Sequence, residues 1–338
     1  MSEIDYDMFE LGDVVLQSGM TLRQAKLAYK TYGTLNSQRN NAVLLPTFYG
    51  GQHPQYEPLL RPGMALDPQH YFVIIPNMFG NGLSSSPSNT PPPYDRARFP
   101  PVTLYDNIMC QHRLVTEKFG IARLALVSGF SMGAQQTFHW GALFPDMVER
   151  ILPWCGSAKT SKHNFVFLEG VKAALTADDA WHGGWYDTPP TKGLRAMARV
   201  YSGWFVSQAF YREEAYRHMG AASIEDFLVM QEGRRLLRDA NDLLAMLWSW
   251  QYADISANPL YNGNFPQALS AIQARATVMP SQTDLYFPPE DNAWEVQHMP
   301  HAELRPIPSI WGHMAGSPGA NPTDTAFIDA ALKELLQN

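Results

Sequence analysis

Ser131 stands in the pentapeptide Gly129-Phe130-Ser131-Met132-Gly133, between the apolar run Leu124-Ala125-Leu126-Val127 and a helix-like segment that starts at Ala134. A serine on such a strand-to-helix turn is held in a strained conformation with its hydroxyl exposed. Glycines flank it because a side chain there would collide with the adjoining strand or helix. A serine hydroxyl is a weak nucleophile at neutral pH, so it needs a base to take its proton and an acid to orient that base. Asp284, in Ser281-Gln282-Thr283-Asp284-Leu285-Tyr286-Phe287-Pro288, lies just past a strand-like run and is the candidate acid. Its rivals Glu290 and Asp291 follow two prolines, where acids cap a starting helix. His313, in Trp311-Gly312-His313-Met314, follows a later strand and is the candidate base. His298 and His301 precede that strand and belong to the opposite edge of a sheet, while His139 falls well inside the helix after Ser131. A tetrahedral intermediate also needs oxyanion donors. The backbone N–H of Met132 is one, and Phe48 or Tyr49, in Pro46-Thr47-Phe48-Tyr49-Gly50-Gly51, supplies the other.

Positioning these groups requires alternating strands and helices. Strand-like runs cover Gln24–Tyr32, Ala42–Leu45, Tyr71–Ile75, Arg123–Val127 and Arg150–Pro153, then Arg275–Met279 and Leu304–Pro308. Helical periodicity marks Thr103–Phe119, the segment after Ser131, and Asp324–Leu336. The alternation predicts an α/β protein with a mostly parallel central sheet and helices on both faces. Between Lys159 and Pro266 the character changes to helical and aromatic, with Trp181, Trp185, Trp204, Trp248 and Trp250. The predicted division is therefore a catalytic domain from 1–158 and 267–338, with 159–266 inserted as a helical lid over the strand ends. These aromatics serve either as lid core or as pocket lining.

The 338 residues are 45% hydrophobic and 17% charged, enough for a large buried core. A net charge of −7 without any basic run argues against nucleic acid as the main partner. The start of the chain is acidic and reads as no secretory signal, and no apolar run reaches the ~18 residues of a membrane span. Two cysteines, Cys110 and Cys155, read as free buried thiols of a cytoplasmic protein. Neither C-x-x-C nor H-E-x-x-H occurs, so no metal or other cofactor is expected.

The set of motifs resembles the homoserine O-acetyltransferase family of α/β-hydrolase-fold proteins. The resemblance rests on Asn41-Ala42-Val43-Leu44-Leu45, Phe99-Pro100-Pro101-Val102-Thr103, the Ser131 pentapeptide, Thr283-Asp284-Leu285-Tyr286-Phe287-Pro288 and Gly312-His313. It implies the α/β-hydrolase fold, a Ser131–His313–Asp284 triad, an acyl-enzyme, and a lid shaping a tunnel to the serine. Three departures bear on the acyl acceptor. The family follows its histidine with an aspartate that contacts the amino group of homoserine, and here that position is Met314. A thioether cannot pair with an ammonium group, whose desolvation would then go uncompensated. A T-Y-R-S-like family stretch is replaced within Ala198–Ser207, which carries Arg199 and Trp204, and Phe130 stands where the family often has glycine. Arg199 is either the family's carboxylate-binding arginine or a member of a surface or lid salt bridge.

These departures predict a more apolar pocket, lined by Phe130, Trp204 and Met314. The favoured reading is a serine carboxylesterase of small, short-acyl esters of the acetate type. Its alternative is an acetyl-CoA-dependent O-acetyltransferase acting on homoserine or another small alcohol. The only partner expected besides the small-molecule ester is a second copy of the chain, since the aromatic lid suits a homodimer.

Overall fold

A computed structural model describes residues 5–337. Eight strands form one sheet in the order β1-β2-β4-β3-β5-β6-β7-β8. They are β1 (Asp7–Val15), β2 (Thr21–Tyr32), β3 (Ala42–Leu44), β4 (Phe72–Pro76), β5 (Leu126–Phe130), β6 (Arg150–Trp154), β7 (Arg275–Val278) and β8 (Ala302–Leu304). The first two pair antiparallel, β2 meets β4 antiparallel, and all later neighbours run parallel. The central strands are apolar on both faces, as parallel strands covered by helices must be. Alternate residues feed opposite layers: Val43, Val73, Ile75 and Leu126 enter one core, while Ala42, Leu44, Phe72, Ile74 and Val127 enter the other.

The helices are α1 (Leu104–Arg113), α2 (Met132–Leu143), α3 (Lys162–Thr176), α4 (Thr191–Ser202), α5 (Gln208–Arg212), α6 (Ile224–Leu236), α7 (Ala240–Gln251), α8 (Phe265–Ser270), α9 (Pro289–Val296) and α10 (Pro322–Gln337). Side-chain caps set several starts. Thr103 and Asp106 form a reciprocal capping box on α1, and Ser161, Ser223 and Asp239 cap α3, α6 and α7.

Between β6 and β7, helices α3 to α7 pack into the core layer that also holds Phe130 and Met132. Leucines and aromatics of α3, α4 and α7 fill it, with Trp250 fully buried against Phe287. Helix α8 belongs to the other layer, where Ala268 and Leu269 pack, so the expected boundary at Pro266 falls inside a helix of the opposite face. The helices are tied to the rest of the chain by polar contacts. Asp242 accepts from the Ser88 N–H (2.9 Å) and hydroxyl (2.6 Å), and the Ser249 hydroxyl donates to Val102 (2.6 Å).

Four elements differ from expectation. Strand β1 lies at the sheet edge with one face exposed, so no continuous apolar run marks it. Strand β5 starts at Leu126 rather than Arg123 and runs on to Phe130, directly into the serine turn. The helix from Thr103 ends as a regular α-helix at Arg113 and finishes in a π-turn over Leu114–Lys118. Strand β8 is shorter and earlier than Leu304–Pro308, because Pro306 and Pro308 cannot donate to the ladder. Only an isolated bridge, Ser281 to Ile307, continues it.

Candidate active site

Ser131 ends β5 with φ 58° and ψ −122°, a strained conformation for a residue with a side chain. Its own N–H is held by the Trp154 carbonyl (3.0 Å). The glycines around it are sterically required. A Cβ on Gly129 would sit 2.6 Å from the Gly133 backbone, and one on Gly133 would sit 2.5 Å from the Pro46 carbonyl oxygen. Tyr56, fully buried, braces the turn from outside the motif. Its hydroxyl accepts from the Phe130 N–H (3.1 Å) and donates to Pro46 (2.9 Å). No pattern around Tyr56 marks this role in the sequence, because the contact spans 74 residues.

The acid and base loops are coupled to each other. The Thr283 hydroxyl donates to Ser309 (2.8 Å) and accepts from the Gly312 N–H (3.1 Å). Asp284 receives the N–H groups of Tyr286 and Phe287 on Oδ1, both at 3.1 Å, and presents Oδ2 to His313 Nδ1 at 2.6 Å. His313 Nε2 lies 2.9 Å from Ser131 Oγ. With Nδ1–H directed to the carboxylate, Nε2 is left to accept the serine proton. All three groups are buried, and the imidazole is flanked by Phe130 (4.7 Å), Tyr286 (4.4 Å) and Phe287 (5.6 Å). The base loop is also fixed by the inserted segment, since the Met314 N–H donates to Phe205 (3.1 Å) and Ser207 bonds Ile310. Gly312 has φ +59°, and a Cβ there would meet Val206 and Ser207 backbone atoms at 2.8 Å.

The other candidates lie elsewhere. Glu290 and Asp291 occupy the first turn of α9. His301 is exposed, His298 stacks on Trp294, and His139 is buried with Nδ1 on the Gln135 carbonyl. Met132 begins α2, where first-turn N–H groups lack intrahelical acceptors. The Phe48–Gly51 turn faces it, with the Gly51 N–H bonded to Phe48 (2.8 Å) and the Thr47 N–H to Pro76 (3.2 Å).

A cavity of about 150 Å³ opens at Ser131 and His313, and Phe48, Tyr49, Phe130, Tyr201, Phe205 and Met314 are among its walls. Arg199 and Trp204, read from the sequence as pocket residues, do not line it. Arg199 projects from α4 to pair with Glu225 and Glu232 of α6, and Trp204 packs on His163 and Phe167 of α3. The lining is not apolar throughout, because α6 contributes Gln231, Arg234 and Arg235 to the wall. Burial pushes the Tyr49 and Tyr201 phenols up, partly offset by the nearby Arg235 guanidinium, so both remain protonated donors. No carboxylate lines the cavity among the described residues.

Residues 43–315 match the family model described as the alpha/beta hydrolase fold, four-fifths of the chain. The chain belongs to the α/β-hydrolase fold family. It falls in the carboxylic ester hydrolase branch of that fold. It is 37% identical to an ethyl acetate hydrolase of Pseudomonas veronii over 98% of this chain and 96% of that protein. The crystal structure of an acetylester hydrolase from Corynebacterium glutamicum superposes with a TM-score of 0.95 at 37% identity, covering 98% of this chain and 96% of the other. A homoserine O-acetyltransferase of Thermobifida fusca is 30% identical over 95% of this chain and 90% of its own length. Among the described residues no helix is long and apolar enough to cross a membrane.

Proposed function

We propose that this protein is a serine carboxylesterase of small, acetate-type esters, working through a Ser131–His313–Asp284 triad and an acyl-enzyme. The observation that carries the reading is the unbroken line from Asp284 Oδ2 through His313 to Ser131 Oγ, at 2.6 and 2.9 Å, opening into one small cavity. His313 Nε2 takes the serine proton as Oγ attacks the ester carbonyl, and Asp284 stabilises the imidazolium. The oxyanion rests on the Met132 N–H and on one from Phe48 or Tyr49, each donor lowering the barrier by about 3 kcal/mol. His313 then returns the proton to the leaving alcohol, and water activated by the same nitrogen releases the acid. Helices α3 to α7 act as the lid that keeps this step from bulk solvent.

Water is the acceptor in this reading because no carboxylate among the described residues lines the cavity to receive the ammonium of homoserine, with Met314 beside the base. The similarity to an ethyl acetate hydrolase supports the acyl size. Acetate release from ethyl acetate and acetyl transfer from acetyl-CoA to L-homoserine, run in parallel, test the assignment. Acetate release without O-acetylhomoserine is the expected result. Efficient O-acetylhomoserine formation would mean that the aspartate is dispensable and that the chain is a transferase.

A further inference from the structure

Part of the wall of the serine cavity is polar and incompletely satisfied. Gln231 of α6 is 8% exposed and its side-chain amide nitrogen has no hydrogen-bond partner among the described residues. The Tyr49 hydroxyl, on a side chain 6% exposed, is equally unpartnered. Arg235 lines the same cavity. Its guanidinium sits 4.6 Å from the Tyr201 ring centre and 5.4 Å from that of Tyr49. It also lies against the oxyanion loop, where a Cβ on Gly50 would be 3.3 Å from Nη1.

Arg235 and its neighbour Arg234 line both the inner cavity and an outer one of about 670 Å³, to which Arg238 adds a third guanidinium. None of the three arginines makes an ion pair among the described residues. Among the described residues no Asp or Glu lines either cavity. The nearby acids are engaged elsewhere: Glu232 and Glu225 hold Arg199, and Asp239 caps α7. In a chain of net charge −7 this mouth is a local exception, and such a positive concavity draws in anions.

We propose that Arg235, the Gln231 amide and the Tyr49 hydroxyl form a carboxylate subsite, so that the preferred esters carry an acidic group on the part that leaves as the alcohol. The proposal rests on the esterase reading. With a short acyl group against the triad, the alcohol portion is the part directed towards the mouth. A carboxylate there would satisfy the two buried donors and meet a planar guanidinium able to bind it in two places. Neutral esters such as ethyl acetate fill the inner cavity and leave this subsite unused.

The test compares 3-acetoxypropanoate with its uncharged counterpart 3-acetoxypropanamide, in the wild type and in Arg235→Gln. The wild type is expected to favour the anion in kcat/KM by about tenfold or more, and the variant to collapse that ratio by roughly ten- to a hundredfold. Arg235→Lys should recover part of the ratio, and added salt should weaken it in the wild type. Equal loss on both substrates, or no preference in the wild type, would overturn the subsite and leave the esterase reading intact if ethyl acetate is still hydrolysed. Should no ester be hydrolysed, calorimetric titration of Ser131→Ala with 3-acetoxypropanoate still decides. Binding that is lost in Ser131→Ala/Arg235→Gln upholds the subsite, and absence of binding removes it. Tighter binding of ADP than of the carboxylate would overturn the assignment in favour of a phosphate-bearing ligand.

Discussion

The two walls of the serine cavity are built differently. On the triad side, position is fixed by backbone: a strained serine between two glycines that admit no Cβ, with histidine and acid loops tied together by Thr283. On the α6 side, side chains do the work, and the Gln231 amide nitrogen there, like the Tyr49 hydroxyl of the Phe48–Gly51 turn, has no hydrogen-bond partner among the described residues. The first arrangement suits chemistry that is the same for every substrate, because preorganised groups do not have to reorient during the reaction. The second suits recognition, where the ligand completes the hydrogen bonding and a change of side chain changes the ligand.

The largest effect should come from removing the nucleophile. Ser131→Ala is expected to lower kcat by about 10⁶-fold with an unchanged fold, and adding His313→Ala should cost little more, since the members act as one unit. Steady-state kinetics with circular dichroism as a folding check would measure this, and substantial residual turnover would remove Ser131 from its role. Tyr56→Phe probes the backbone scaffold alone. It strips the partner from the buried Phe130 N–H and Pro46 carbonyl, at a cost of about 1–3 kcal/mol in stability. Because the slackened turn carries Ser131, kcat should fall more than KM changes. A variant as stable and active as the wild type would show that the glycines alone hold the turn.

The same division decides what is legible in the sequence. Ser131, Asp284 and His313 can be read because each sits on a short local pattern after a strand, and strand order then brings them together. The fold class can be read because β3 and β4 are continuous apolar runs and β5 and β6 are interrupted only by Ser128 and Arg150. Arg235 and Gln231 cannot be read, since a polar residue on an amphipathic helix looks the same whether it faces water or a cavity. Arg199 misleads for this reason: it lies near the T-Y-R-S-like position, yet the turn of α4 directs it to α6. Strand β1 escapes notice because its exposed face breaks the apolar run, and Tyr56 because its contacts are distant in the chain.

A titratable contact should distinguish the inserted helices from the rest. Asp242, buried at the start of α7 and holding Ser88, has its pKa pushed up from 3.8 to about 7, chiefly by burial and further by Asp239, with the Ser88 bonds and Arg238 opposing. A folded value above the unfolded one means that its contribution is complete below pH 3.8 and is lost as pH rises to about 7. Over that window the wild type should lose at most about 1.4 kcal/mol per pH unit from this group. Asp242→Asn keeps an acceptor for the Ser88 N–H and should flatten the dependence. Thermal unfolding of both proteins from pH 4 to 8 measures the difference, and parallel curves would exclude Asp242 as its source.

The smallest effect is expected at Arg199, and it makes the sharpest control for Arg235. Both are arginines near the ends of helices between β6 and β7. Arg199 is paired with exposed Glu225 and with largely buried Glu232, whereas Arg235 has no ion-pair partner among the described residues and lines the cavity. Arg199 lies outside the cavity and its guanidinium is already neutralised by these two acids, so Arg199→Gln should leave kcat/KM for ethyl acetate and the acid-to-amide preference unaltered. If Arg199→Gln eroded that preference as much as Arg235→Gln, the effect would come from the summed charge of these helices rather than from a guanidinium placed at the cavity. If only Arg235→Gln erodes it, position rather than charge carries the selectivity.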